Sequence, residues 1–309
     1  MSALAFTFLA LMLVGPVPAL LARAAWPMRA PRAAIVLWQS IAVAAVLSAF
    51  SAGLAIASRL FVPGPDGRPT ATITSEIAAL GWPLWLAYVL VFAITLVIGA
   101  RLLLAGVQVA VATRRRRAHH RMVVDLLGDC RHGMSGLRVL DVAEPLAYCL
   151  PGVRSRVVLS KGTLAALSDA ELVAILSHER AHLRARHDLV LEAFIAVHTA
   201  FPRFVRSGSA LNAVRLLVEM LADDAAVRTA GPTPLARALV ACASGRTPKG
   251  ALAAGGPTTV IRVRRLCGEG NSLLLSLAAY TTAAAVLVVP TVAVAMPWLT
   301  ELHRLFLSS

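Results

Sequence analysis

The sequence predicts a mainly α-helical membrane protein, with four transmembrane helices and an α+β domain inserted between the third and the fourth. Hydrophobic residues make up 58% of the 309 residues and charged residues 15%, which is too apolar for one soluble domain. The apolar residues cluster in three stretches before residue 112 and one after residue 272, each near the roughly 20 residues that cross a bilayer. We therefore divide the chain into a three-helix membrane region (1–111), an inserted domain (112–270) and a fourth helix with a short tail (271–309).

Each apolar stretch has limits that the sequence indicates. The first, Ser2 to Ala22, contains a Gly15-Pro16-Val17-Pro18 interruption, so we expect a kinked helix. No Lys or Arg precedes it, which favours a retained span over a cleaved signal peptide. The other three stretches are Ala33 to Ser58, Trp82 to about Leu104, and Leu273 to about Trp298. The third is expected to continue inward as a helix as far as Leu127.

The basic residues predict how these spans are oriented. The chain has a net charge of +14, and most of the excess lies in short segments beside the apolar stretches. These residues are Arg23, Arg29, Arg32, Arg114–Arg117, Arg121, Arg262, Arg264 and Arg265. The positive-inside rule then places both termini outside the plasma membrane and the inserted domain in the cytosol. We expect these arginines to contact the lipid bilayer rather than nucleic acid directly. Residues 60–80 would form a short external loop.

Several segments of the inserted domain have a pattern typical of strands or loops. Leu137 to Val142 and Arg156 to Ser160 are predicted strands, with an extended segment between them. Within it, Ala147, Tyr148 and Cys149 are a candidate edge strand to which a substrate peptide could add, and a plain structural strand is an equal alternative. Residues 189–205 predict a buried or interfacial helix. From residue 231 to 270, the Gly, Pro and Ser content predicts a flexible return to the fourth span.

The most specific motif is His178-Glu179-Arg180-Ala181-His182. A capping box at Ser168 and Glu171 begins a helix predicted to run from Asp169 to about Arg186. Residues four apart on a helix share one face, so His178 and His182 can bind one metal ion. Glu179 lies beside them, where it can take a proton from an attacking water. This spacing on a helix indicates a zinc protease.

A second amphipathic helix, predicted from Leu211 to Arg228, offers the third ligand. Glu219 would complete a two-histidine, one-glutamate zinc site with an open position for water, and one Zn²⁺ per chain is expected. Asp223, four residues later, would fix the ring of a ligand histidine, with Asp224 as the competing candidate. His187 is about half a turn out of phase with His178, so we do not expect it to bind the same metal ion.

Together these features resemble the BlaR/MecR-type integral membrane zinc metallopeptidases. The resemblance rests on three spans, a domain with His178-Glu179-Arg180-Ala181-His182 and Glu219-Met220-Leu221-Ala222-Asp223, and a fourth span. It covers essentially the whole chain and is particularly close to the short mycobacterial BlaR-like members. The resemblance implies a gluzincin-like cytosolic domain, with zinc at His178, His182 and Glu219 and with Glu179 as general base. This chain ends at Ser309 just beyond the fourth span, so we expect no extracellular penicillin-binding sensor.

In that family, activation of the zinc domain leads to loss of a winged-helix repressor of the BlaI/MecI type. The resemblance therefore implies a protein substrate of that kind and a role in signal transduction and transcription regulation. Two alternatives remain open. The zinc domain also resembles HtpX-type membrane quality-control proteases, and a non-catalytic transducer with structural zinc would use the same ligands. The sequence also leaves a homodimer open.

Overall fold

The computed structural model describes residues 2–57, 77, 81–130, 136–201, 208–243, 252–253, 258–268 and 270–307. Most of these residues are helical, with one small sheet. The expected loop at residues 60–80 lies outside the described residues, apart from position 77, and so do positions 202–205 of the helix expected at residues 189–205.

Among the described residues, four helical segments are long and apolar enough to span a membrane: Leu4–Arg23, Pro31–Gly53, Trp82–Leu127 and Leu273–Ala293. The first consists of α1 (Ser2–Val14) and α2 (Pro16–Arg23), which are separated at Gly15 as the sequence predicts. The others belong to α3 (Pro31–Ala57), α4 (Trp82–Leu127) and α11 (Leu273–Leu307). A 3-10 helix, Trp26–Arg29, connects α2 to α3.

Helix α4 extends well beyond a single membrane crossing. It contains 46 residues, which at 1.5 Å per residue span about 69 Å, against about 30 Å for a hydrocarbon core. The predicted continuation to Leu127 is therefore confirmed. Its second half contacts the inserted domain, because Arg117 Nη1 lies 3.1 Å from Asp188 Oδ2 and 2.6 Å from Glu192 Oε1. Arg101 donates to the carbonyl of Ala200 at 3.1 Å.

A five-stranded sheet follows α4, with strand order β1-β2-β4-β3-β5. The strands are Asp129–Cys130, Leu137–Leu140, Ala147–Leu150, Arg156–Ser160 and Leu252–Ala253. Strand β4 pairs in parallel with β2 and antiparallel with β3. Since successive side chains of a strand point to opposite faces, Tyr148 packs with Val124 of α4, and Ala147 packs with Ile175 on the other face.

The residues that the structure describes between α4 and α11 also form six helices. They are α5 (Lys161–Ala166), α6 (Asp169–Arg184), α7 (His187–Ala200), α8 (Gly208–Ala230), α9 (Pro232–Cys242) and α10 (Thr259–Leu266). The prediction of a flexible return after residue 231 was wrong for α9 and α10. Helix α9 buries one face at Leu235, Ala238, Leu239 and Cys242, and this packing outweighs the local Pro and Gly content.

Helix α8 joins the two main apolar cores. On one side Val214, Leu217 and Val218 pack in a cluster with Trp38 of α3 and Ala283 of α11. On another side Ala226 belongs to the cluster that includes α6 and α9. The helix that contains Glu219 is therefore fixed both to the apolar spans and to the domain that contains the histidine motif.

Candidate metal centre

Helix α6 presents the histidine motif inside the protein. Its first turn is fixed by the predicted capping box, in which the Ser168 backbone N–H donates to Glu171 Oε2 at 2.9 Å. His178, Glu179 and His182 all have 0% exposed surface. Buried polar side chains of this kind require specific partners, because each loses its contacts with water.

The side chains of His178, His182 and Glu219 converge on one point. The two Nε2 atoms lie 3.2 Å apart. The Glu219 carboxylate on α8 lies 3.4 Å from His178 Nε2 through Oε2 and 3.6 Å from His182 Nε2 through Oε1. One donor atom from each residue lies within 4.8 Å of the other two. This arrangement provides three donors on one side of a small ion and leaves further positions for other ligands.

In both histidines, the ring nitrogen that faces away from the shared point, Nδ1, has a neighbour that can fix the orientation of the ring. His178 Nδ1 lies 3.0 Å from Asp223 Oδ1, although the N–H is not aligned for a regular hydrogen bond. His182 Nδ1 lies 3.0 Å from His187 Nδ1. If both ligand rings keep their proton on Nδ1, each Nε2 presents a lone pair to the shared point.

The charged groups around the point where the three side chains converge favour a positive charge there. Burial alone would lower the pKa of His178, but the adjacent carboxylates of Asp223 and Glu219 raise that pKa to about 9. Burial works in the opposite direction on Glu219, yet His182, His178 and Arg262 hold its pKa well below the ordinary value. Glu219 is therefore an ionised carboxylate that faces two imidazole nitrogens, which is a suitable donor set for a divalent metal ion.

Glu179 lies next to this set without being part of it. Neither carboxylate oxygen has an aligned hydrogen-bond partner among the residues that the structure describes. Burial raises the pKa of Glu179, which suits a group that accepts a proton during the reaction. The buried thiol of Cys149 interacts with this carboxylate, since burial and then Glu179 raise the pKa of Cys149.

Cys149 belongs to the segment predicted as a substrate edge strand, and that placement needs correction. Ala147, Tyr148 and Cys149 do lie on β3, but β3 is inside the sheet. Strand β5 covers its outer side, because Tyr148 pairs with Ala253 and Cys149 with Leu252. The two residues that form β5 fall in a stretch whose composition predicts a loop, so the sequence contains no clear signal for this pairing. A peptide would need to displace β5 to add at β3.

The structure shows which of the remaining candidate residues lie beside the histidine motif. Asp223 contacts His178, whereas Asp224 forms an ion pair with Arg265 at 2.7 Å. His187 is not in the three-residue donor set, as expected from its phase, but it contacts His182, which is in that set. The turn at Arg186, which has a left-handed φ of 50°, begins a new helix and rotates His187 toward His182.

Sequence reasoning missed Arg262 at this site. This arginine was assigned to the membrane surface because it precedes the fourth span, yet it is 1% exposed and bound to Asp223. The buried cluster consequently contains three carboxylates (Glu179, Glu219, Asp223) and one guanidinium. When all are ionised they leave two negative charges, which a divalent cation would balance. The donor set and the charge both fit zinc.

Residues 42–204, slightly more than half of the chain, match the family model described as BlaR1 peptidase M56. The matched range includes the helix with His178, Glu179 and His182, whereas Glu219 and Arg262 lie beyond it. No curated protein and no solved structure gives a significant match.

Proposed function

Because this chain belongs to the BlaR1-type M56 peptidases, a family of membrane metallopeptidases, we propose that it is an integral membrane zinc endopeptidase of gluzincin type. The observation that supports this most is the convergence of His178, His182 and Glu219 within 4.8 Å, with the carboxylate of Glu179 buried beside them. Two imidazoles and one carboxylate with an open position are the ligands of catalytic zinc sites in peptidases.

The proposed chemistry assigns a separate task to each side chain. His178, His182 and Glu219 would hold one Zn²⁺, which would supply Lewis-acid polarisation of the scissile carbonyl. Glu179 accepts a proton from the attacking water at one carboxylate oxygen and delivers it to the leaving amine nitrogen. Asp223 and His187 orient the two ligand rings. Burial of the whole cluster excludes bulk water, which strengthens these interactions.

Glu179→Gln tests this assignment. The substitution keeps the size of the side chain and removes its basic oxygen, so the protein should retain stoichiometric zinc and lose peptide-bond cleavage. Zinc content and cleavage are measured on the full-length protein in detergent, with Glu144→Gln at an exposed loop position as the matched control. Full cleavage by Glu179→Gln would refute the mechanism. Signalling that survives this substitution would favour a non-catalytic transducer.

For the substrate, we propose a cytosolic protein, specifically a winged-helix repressor of the BlaI/MecI type, so that proteolysis relays a signal to transcription. The support is the family membership and the cytosolic position inferred from the arginines. Cells that express the wild type or Glu179→Gln should differ in the cleavage of that repressor. Broad cleavage of misfolded membrane proteins, with no effect on a repressor, would instead indicate quality control of the HtpX kind.

The proposed topology places the two termini outside and residues 112–270 inside. The three exposed arginines Arg114, Arg115 and Arg116 lie on α4 after its apolar part, where they would face cytosolic headgroups. A reporter enzyme that is active only outside the cell should be active when fused to either terminus and inactive when fused after residue 128. The reverse pattern would contradict the topology and leave the metal site untouched.

A further inference from the structure

Arg262 is the largest fully buried side chain in the described part of the chain, with 1% exposure. It lies on α10, two residues before the exposed Arg264. A buried guanidinium is unfavourable unless nearby anions compensate its charge and accept its hydrogen bonds. Its location therefore needs an explanation other than contact with lipid headgroups.

All three guanidinium nitrogens face carboxylates of α8. Arg262 Nε donates to Asp223 Oδ2 at 2.8 Å, and Nη2 donates to Oδ1 at 2.5 Å. Nη1 lies 3.1 Å from Glu219 Oε2. Asp223 and Glu219 are one helical turn apart, so a single planar guanidinium reaches both. Arg262 thus contacts one metal-ligand candidate directly.

Arg262 reaches a second metal-ligand candidate, His178, through Asp223. The same Oδ1 atom that accepts from Arg262 lies 3.0 Å from His178 Nδ1. A carboxylate held by two parallel hydrogen bonds has little freedom to rotate, so its position fixes where the His178 ring can point. Arg262, Asp223 and His178 form a continuous series from α10 through α8 to α6.

We propose that Arg262 is a positioning residue for the metal centre, which holds Glu219 and, through Asp223, orients His178. The inference rests on the proposed function, since it assumes that these side chains bind zinc. According to this proposal, positioning depends on the forked shape of the guanidinium as well as on its charge. A lysine ammonium is a point charge and cannot make the two parallel bonds to Asp223 together with the contact to Glu219.

The test uses full-length protein purified in detergent and the variants Arg262→Lys and Arg262→Gln. Zinc affinity is measured by competition with a chromophoric chelator, and the visible absorption of Co²⁺-substituted protein reports ligand geometry. Both variants should bind zinc about 10–100-fold more weakly than the wild type, as expected when an outer partner of a ligand is lost. Arg264→Lys and Arg264→Gln, on the same helix, should stay within about twofold of the wild type.

A double variant distinguishes a specific loss of positioning from a general loss of folding. In protein that already contains Asp223→Asn, adding Arg262→Gln should weaken zinc binding further by less than it does in the wild type, because only the contact of Arg262 with Glu219 is then left to lose. Comparable additional weakening would overturn the proposal.

Other outcomes also separate the alternatives. Full zinc affinity and an unchanged Co²⁺ spectrum in Arg262→Lys would show that charge alone suffices, and would overturn the positioning role. A lower melting temperature with wild-type zinc affinity in both Arg262 variants would reduce Arg262 to a structural residue. Failure of the wild type itself to bind zinc would overturn both this inference and the proposed function.

Discussion

Helices α6 and α10 meet the same buried cluster, yet they contribute to it in opposite ways. Helix α6 brings two donor nitrogens and a carboxylate within five consecutive residues, so its part is fixed by local helical geometry. Helix α10 brings one cation, Arg262, which is 39 residues away from its partner Asp223 and is positioned by tertiary packing alone. Two of the three candidate donors, His178 and His182, therefore lie one turn apart on a single helix, whereas Glu219 and the Asp223–Arg262 pair come from distant segments.

The largest effect on zinc binding should come from removing one of the two histidines on α6. His178→Ala and His182→Ala should abolish stoichiometric zinc binding, because two remaining donors make a poor site for the ion. Metal analysis of the purified protein measures this directly. His119→Ala, at an exposed position on α4, is the control and should keep one zinc per chain. Retention of zinc by either motif variant would mean that the ligands lie elsewhere.

The next effect comes from the distant partner on α8. Asp223→Asn keeps the shape of the side chain but removes the charge that Arg262 and His178 share, so zinc affinity should fall about 10–100-fold. The neighbouring Asp224→Asn breaks an ion pair with Arg265 that does not touch the ligands, and its zinc affinity should be nearly that of the wild type. Equal losses in the two variants would show that the whole helix, rather than Asp223, sets the affinity.

His187 should have a smaller effect than Asp223, because His187 contacts its partner with an imidazole ring whereas Asp223 contacts its partner with a carboxylate. Burial, together with the neighbouring His182, lowers the pKa of His187 to about 4, so this ring is uncharged at pH 7. Neutral hydrogen bonds are about half as strong as charge-assisted ones, so His187→Ala should weaken zinc binding less than Asp223→Asn does. Chelator competition on both variants in one buffer decides the order, and a larger loss in His187→Ala would contradict it.

The smallest effect on zinc affinity should come from the face of the sheet that packs against α4, away from the histidine motif. The Tyr148 hydroxyl lies 2.9 Å from His120 Nε2, which joins β3 to α4 away from the ligands. Tyr148→Phe should lower the free energy of unfolding by about 1 kcal/mol and leave zinc affinity unchanged. Thermal unfolding in detergent compares it with Tyr280→Phe, at an exposed position on α11. A change in zinc affinity would mean that the two faces of the sheet are coupled.

Local patterns in the sequence were sufficient for much of this fold. The kink at Gly15, the capping box at Ser168 and the long inward extension of α4 each depend on a few neighbouring residues, and each prediction is confirmed. Helix α9 could also have been found, because Leu235, Ala238, Leu239 and Cys242 recur at helical spacing after a Gly231-Pro232 start. High Pro and Gly content around it obscured that signal.

Pairings between distant segments could not be predicted in the same way. Nothing near Arg262 distinguishes it from the exposed Arg264, since both lie in one basic stretch before an apolar helix. The pairing of β5 with Tyr148 and Cys149 likewise depends on where the chain returns after 100 residues, not on the residues of β5. Motif spacing shows which side chains can bind a metal ion, and only the folded chain shows which groups hold them in place.

The late position of Arg262 in the chain has a consequence for synthesis. The ribosome makes every candidate ligand before it makes α10, so the nascent domain first holds Glu179, Glu219 and Asp223 without their common cation. Carboxylates buried close together repel one another, so Arg262 lowers the cost of holding them in the finished arrangement. Helix α11 follows α10 in the chain and contains the last of the four candidate spans. The cluster therefore reaches its full set of charges only once residue 262 has been made, shortly before this last apolar helix.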